Sequence, residues 1–152
     1  GNCLQRLRDS SKESALENTL FFDEIPPNEI AGLFSQCHIG MVALDSKHKS
    51  HNIPGKFLSY LMSGLPVLAN VNANNDLVEI IKRERIGRVN TLNSIDELEV
   101  LANSLLNEIS EANGLNNRCI RFSQSSYSVD AAVLRMESLI NGLRVPNAKK
   151  KS

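Results

Sequence analysis

Two uninterrupted apolar runs, Ile39–Leu44 and Pro66–Asn70, bracket an amphipathic stretch, and no other feature narrows the fold as much. Neither run alternates apolar with polar residues. Such runs belong to strands covered on both faces, the situation inside a parallel sheet with helices on either side. Between them, Pro54–Ser63 reads as a helix, which completes a strand–helix–strand crossover.

The pattern continues on both sides. Asn2 is placed to cap a helix through about Lys12, and Thr19–Phe22 is a short run of strand formers. Pro27 suits the first position of a helix reaching Ser35, with Ile30, Leu33 and Phe34 on one face. Asp76–Arg85 is the next helix and Gly87–Asn90 a further strand. Ser94 caps a long helix, and Ser128 caps another whose Val129, Val133, Met136, Ile140 and Leu143 form a stripe expected to pack on the sheet. Helices and strands alternating at this spacing predict a Rossmann-like α/β fold: a parallel sheet, flanked by helices, with right-handed crossovers. Residues 1–146 form the expected domain, and 147–152, with Lys149, Lys150 and Lys151, a disordered basic tail.

Composition narrows the function classes. At 152 residues the chain suffices for one domain burying roughly 70% of its unfolded surface. Lys plus Arg and Asp plus Glu are 17 each, so no global field favours nucleic acid. No apolar run is long enough to span a bilayer, and no signal-peptide pattern opens the chain. Cys3, Cys37 and Cys119 are isolated and odd in number, which fits a reducing cytoplasm rather than a disulfide framework. Cys37, next to an apolar run, reads as a small core filler. Gly1 in place of an initiator Met suggests a fragment.

In a parallel sheet ligands sit at the carboxyl ends of the strands, so the loops at 23–26, 45–53, 70–76 and 91–94 are where chemistry is expected. The helix opened by Pro54 and Gly55 would aim unpaired N–H groups and a positive dipole end at a phosphate-bearing ligand. Pro54 donates nothing, so Gly55, Lys56 and Phe57 are the expected donors, and the Lys56 ammonium adds a point charge. Asp45, His48 and His51 lie three apart, but no further ligands at suitable spacing complete a metal site. Asn70, Asn72, Asn74, Asn75 and Asp76 read as turn and cap residues.

Over these residues the chain resembles a known family. Thr19–His38 follows the order strand, loop, Pro, acidic residues and apolar helix of the family 4 glycosyltransferases, and Met41–Asn70 is similar to their donor-binding segment. The likeness, over about Gly1–Asn90, is to the carboxyl-terminal half of a GT-B enzyme, and in particular to the WbuB-like bacterial members that build O-antigen and capsule repeat units. It implies a transferase for a UDP-activated sugar and a lipid-linked or glycan acceptor. Such an enzyme works in the cytoplasm at the inner membrane and needs no cofactor or metal. The amino-terminal acceptor-binding half and the first strand of this half would be missing. A fragment of this kind would be inactive alone.

The resemblance also assigns residues. His51, Asn52, Ile53, Gly55 and Lys56 would meet the donor phosphates or sugar, Ser59 the ribose, and Glu24 and Ile25 the base. The family's two acidic donor-site residues fall on His51 and Ser59, so a hydroxyl here would replace a carboxylate at the ribose. The family's basic Arg and Lys pair has no counterpart. Two other readings stand beside this one: the nucleotide half-site of a UDP-N-acetylglucosamine 2-epimerase, and a non-catalytic doubly wound binding module.

Overall fold

The computed structural model describes residues 3–45, 53–111 and 114–143. The chain divides into two compact units, Gly1–Gly32 and Leu33–Ser152, each treated by itself.

The first unit holds helix α1 (Leu4–Glu13) and the start of α2 (Pro27–Phe34). Cys3, not Asn2, occupies the cap position of α1, and no side chain caps it; Asn2 lies outside the described residues. Arg8 pairs with Asp23 at 3.1 Å. Helix α2 opens at Pro27 as expected, where the fixed φ of proline suits the first turn and its missing N–H is no loss. Thr19–Phe22, expected as a strand, belongs to no ladder, and Leu20 and Phe22 are 77% and 56% exposed. Strand-forming residues supply a preference, whereas a strand exists only where a neighbour accepts its hydrogen bonds.

The second unit is the α/β fold. In chain order it contains β1 (Gly40–Ala43), α3 (Gly55–Met62), β2 (Val67–Asn70), α4 (Asp76–Glu84), β3 (Gly87–Asn90), α5 (Ile95–Ser110), α6 (Leu115–Tyr127) and α7 (Val129–Leu143). The three strands are parallel in the order β1-β2-β3, with Val42 opposite Ala69 and Ala69 opposite Val89. Strand β2 is central, and Val67, Leu68 and Ala69 are all buried. Phe57 and Leu61 of α3 and Leu77 and Ile81 of α4 are fully buried in the same core, each side chain contributing about 1.5–3 kcal/mol through burial.

Strand β1 departs from expectation. Gly40 and Val42 are buried, but Met41 is 46% exposed and Ala43 is exposed, so one face is uncovered despite the continuous apolar run. Gly40 and Leu44 send their N–H groups to Pro66 and Asn70 of the β2 side, which turns the backbone of Met41 and Ala43 to the other edge. Tyr60 of α3 covers part of that edge. Its ring lies over Gly40, where a Cβ would collide with it, and its hydroxyl donates to the Met41 carbonyl at 3.3 Å. Phe34 packs on the same ring with centroids 5.1 Å apart.

Helix α7 also departs. Ser128 Oγ caps it, accepting from Ala131 N at 3.1 Å, but the helix packs on α6 and not on the sheet. Val129, Val133, Met136 and Ile140 are 46–79% exposed. Spacing shows which side chains share a face, not what that face meets. The roles of Cys37 and Cys119 are likewise uneven: Cys37 is exposed, and Cys119 is the buried thiol. Among the described residues no helix is long and apolar enough to cross a membrane. The tail at 147–152 lies outside them.

Candidate functional site

Short connections fix which end of each helix lies at which edge of the sheet. Met62 of α3 and Val67 of β2, like Glu84 of α4 and Gly87 of β3, are separated by only a few residues. The carboxyl ends of α3 and α4 therefore sit at the amino edge of the sheet, and their amino ends at the carboxyl rim. Helix α5 leaves β3 through a short loop and starts at the same rim. Three helix amino ends thus open where α/β sheets bind ligands.

Two of the three are closed by their own side chains. Asn75, buried, accepts from Leu77 N at 3.0 Å, and Asp76 and Glu79 bring carboxylates to the first turn of α4. Ser94 Oγ accepts from Glu97 N at 3.3 Å, and Asp96 and Glu97 do the same for α5. In each of these helices a side chain takes one of the opening N–H groups and carboxylates offset the positive end.

Helix α3 differs on every count. Pro54, extended at φ −64° and ψ 140°, occupies the cap position and provides no side-chain hydrogen bond, and the first turn carries no acid. Phe57 N, one of the expected donors, instead bonds the Pro54 carbonyl at 3.0 Å, a correction that comes from the tight turn into the helix. Gly55 and Lys56 keep N–H groups with no acceptor among the described residues, both residues are exposed, and a Cβ at Gly55 would meet only open space. The far end of α3 is firmly tied. Gly64, at φ +75°, donates to the Leu61 carbonyl at 3.0 Å and Leu65 N to the Tyr60 carbonyl at 2.9 Å, a Schellman closure that needs the left-handed residue.

Among the other expected site residues, Ile53 is half-buried immediately before Pro54. Ser59 is exposed, with its hydroxyl turned back to the Gly55 carbonyl at 3.2 Å, so its oxygen keeps lone pairs for a ligand donor. Ile53, Gly55, Lys56 and Ser59 therefore gather on the opening turns of one helix. His51 and Asn52 lie outside the described residues. Glu24, exposed, and Ile25, half-buried, belong to the first unit.

Sequence reasoning read Asn70 as a turn residue but missed Asn90 and Asn93, which build the rest of the rim. Asn90, fully buried at the end of β3, donates to the Ser94 carbonyl at 2.8 Å and accepts from Leu92 N at 3.0 Å, which folds the β3–α5 loop. Asn70 donates to Asn93 at 3.2 Å, joining the ends of β2 and β3, and Asn93 takes φ +53°. The signal was the preference of Asn for left-handed and turn positions. Tyr60 was missed as well. Burial, and secondarily Cys37, raise its pKa, so it stays a neutral donor to the β1 edge at ordinary pH.

The rim thus offers a positive helix end with two N–H groups and an ammonium, beside neutral amides that hold the neighbouring loops. Such a set can hold an oxyanion without moving a proton. Comparison with family models, with curated proteins and with solved structures gave no match for this chain.

Proposed function

We propose that the chain is the donor-binding part of a bacterial glycosyltransferase, moving a sugar from a UDP-sugar to a lipid-linked or glycan acceptor in surface polysaccharide assembly. The resemblance of Thr19–Asn70 to family 4 enzymes supplies the substrate class. The observation that carries the reading is the contrast at the rim: α4 and α5 are capped and acidic, whereas α3 has neither side-chain cap nor acid among the described residues.

In this account the donor pyrophosphate lies across the amino end of α3, held by the N–H groups of Gly55 and Lys56 and by the Lys56 ammonium. Charge that builds on the departing diphosphate is offset by the helix dipole, an electrostatic contribution to the transition state. Ser59 Oγ meets the ribose. The acceptor hydroxyl comes from a second lobe, so catalysis rests on positioning between two lobes.

Calorimetric titration with UDP, uridine, CDP and ADP tests the reading. UDP should bind best, and Lys56→Ala should weaken UDP roughly two- to five-fold while leaving uridine unchanged, the effect of one partly screened charge. Equal loss for UDP and uridine removes Lys56 from the phosphate. No UDP binding, even by a chain extended at its amino end, defeats the transferase reading.

A further inference from the structure

At the edge of the sheet away from the rim, the start of β3 carries an excess of positive charge. Lys82, Arg85, Arg88 and Glu108 line a cleft of about 470 Å³ floored by Ile81 and Leu101. Glu108 is the carboxylate of that cleft, and it is already doubly engaged. Arg88 Nη2 reaches its Oε2 and Arg118 Nη2 its Oε1, both at 2.7 Å. Glu84, the nearest acid on α4, pairs with Arg83 at 2.8 Å. Among the described residues the cleft is therefore lined by three cations, Lys82, Arg85 and Arg88, and one carboxylate, in a chain whose charges balance as a whole.

The guanidinium groups are held in place before any ligand arrives. Arg88 Nη1 donates to the Gly87 carbonyl at 3.1 Å and Arg118 Nε to the Arg85 carbonyl at 3.1 Å. Both side chains remain about 30% exposed, at 31% and 29%. Lys82 and Arg85 are exposed, with no side-chain partner among the described residues. Neutralising Glu108 needs one cation. The surplus, fixed at low ordering cost around a cleft with an apolar floor, is what a ligand with several anionic oxygens requires.

The geometry points to a second anion site here, for an oligophosphate, separate from the α3 end and independent of the transferase reading. Arg88 supplies a planar donor, Lys82 and Arg85 supply charge at the mouth, and Glu108, bonded to Arg118 as well, holds the Arg88 guanidinium in place.

The test is an amide-resolved NMR titration of the whole chain with inorganic tripolyphosphate at about 0.15 M salt, where exposed charges more than about 8 Å apart are largely screened. Saturable shifts at residues 82–88 are expected. Lys82→Ala with Arg85→Asn, chosen because Asn tolerates the φ of +53° at position 85, should weaken them roughly five- to ten-fold. Lys56→Ala should leave the cleft affinity unchanged and affect only shifts at Gly55 and Lys56. Shifts confined to the α3 end, or an unchanged affinity in the double variant, overturn the cleft while leaving the proposed donor site intact. Absence of α3 shifts from the unsubstituted chain counts against the donor site and not against the cleft.

Discussion

The two crossovers of the sheet, β1–α3–β2 and β2–α4–β3, share a topology and differ in how they are finished. The second is closed throughout. Its loop from Val71 is short, Asn75 caps α4, acids sit in the first turn, Lys82 and Arg83 in the last, and Arg85 ends the helix in the left-handed region. The first is tied at its amino edge by the Gly64 closure and by Asn116, which donates to the Gly64 carbonyl at 2.9 Å. At the rim it is unfinished: β1 has an uncovered face and α3 an uncapped, acid-free start. A helix with no internal answer for its N–H groups is suited to an external one, and that is where a ligand belongs.

The largest expected difference lies in two glycines. A Cβ at Gly87 would run into the Val67 carbonyl of the central strand, so Gly87→Ala should cost more than about 3 kcal/mol. At Gly55 the space is open, and alanine there should be neutral or stabilising by up to about 1 kcal/mol. Urea midpoints of the two variants measure the contrast; comparable losses would erase it.

Alkaline pH probes the buried acids beside each crossover. Burial pushes the Cys119 thiol, which lies against the Ile86 carbonyl, up from 9.0 to about 12, and it also raises the Tyr60 phenol over β1. Both groups must stay protonated in the folded state. Above pH 9.0 the unfolded chain loses the Cys119 proton and the folded chain does not, so stability falls from there to about pH 12. The slope for one proton is about 1.4 kcal/mol per pH unit. Cys119→Ala should flatten it, and a urea midpoint unchanged between neutral pH and pH 10 would argue against a buried thiol.

Cap exchange gives a smaller effect. Asn75→Ala should destabilise by about 1 kcal/mol, whereas Pro54→Ser should stabilise by about 0.5–1 kcal/mol by giving α3 the cap it lacks. Absence of any gain would mean that the α3 end already has a partner. Smallest of all, Lys56→Glu should raise stability by about 0.3–1 kcal/mol through the dipole while weakening UDP. A variant both less stable and unchanged in UDP binding would separate α3 from the proposed donor site.

Much of the sheet was legible because buried parallel strands need continuous apolar runs. Ile39–Leu44, Pro66–Asn70 and Gly87–Asn90 all lie in the ladders or at their ends, and Ser94 and Ser128 cap the helices expected of them. Thr19–Phe22 misled because the same residue types suit any extended segment. The α7 stripe misled for a related reason, since regular spacing describes a face and not its neighbour. At the candidate site the opening of α3 by Pro54 and Gly55 was readable. The occupation of Phe57 N, the rim amides of Asn90 and Asn93, the Asn70–Asn93 bond, and the position of Tyr60 on the β1 edge were not.

Local chemistry, carried by the residues themselves, was enough to decide where helices start, where glycine must turn the chain and which runs form the sheet. Those choices depend on backbone dihedrals, caps and short-range periodicity. Only tertiary structure decided that β1 has an exposed face, that α7 turns its apolar stripe away from the sheet and that one rim helix in three is left open. Those outcomes depend on contacts between segments far apart in the chain, whose free energy is set by what each surface meets after folding.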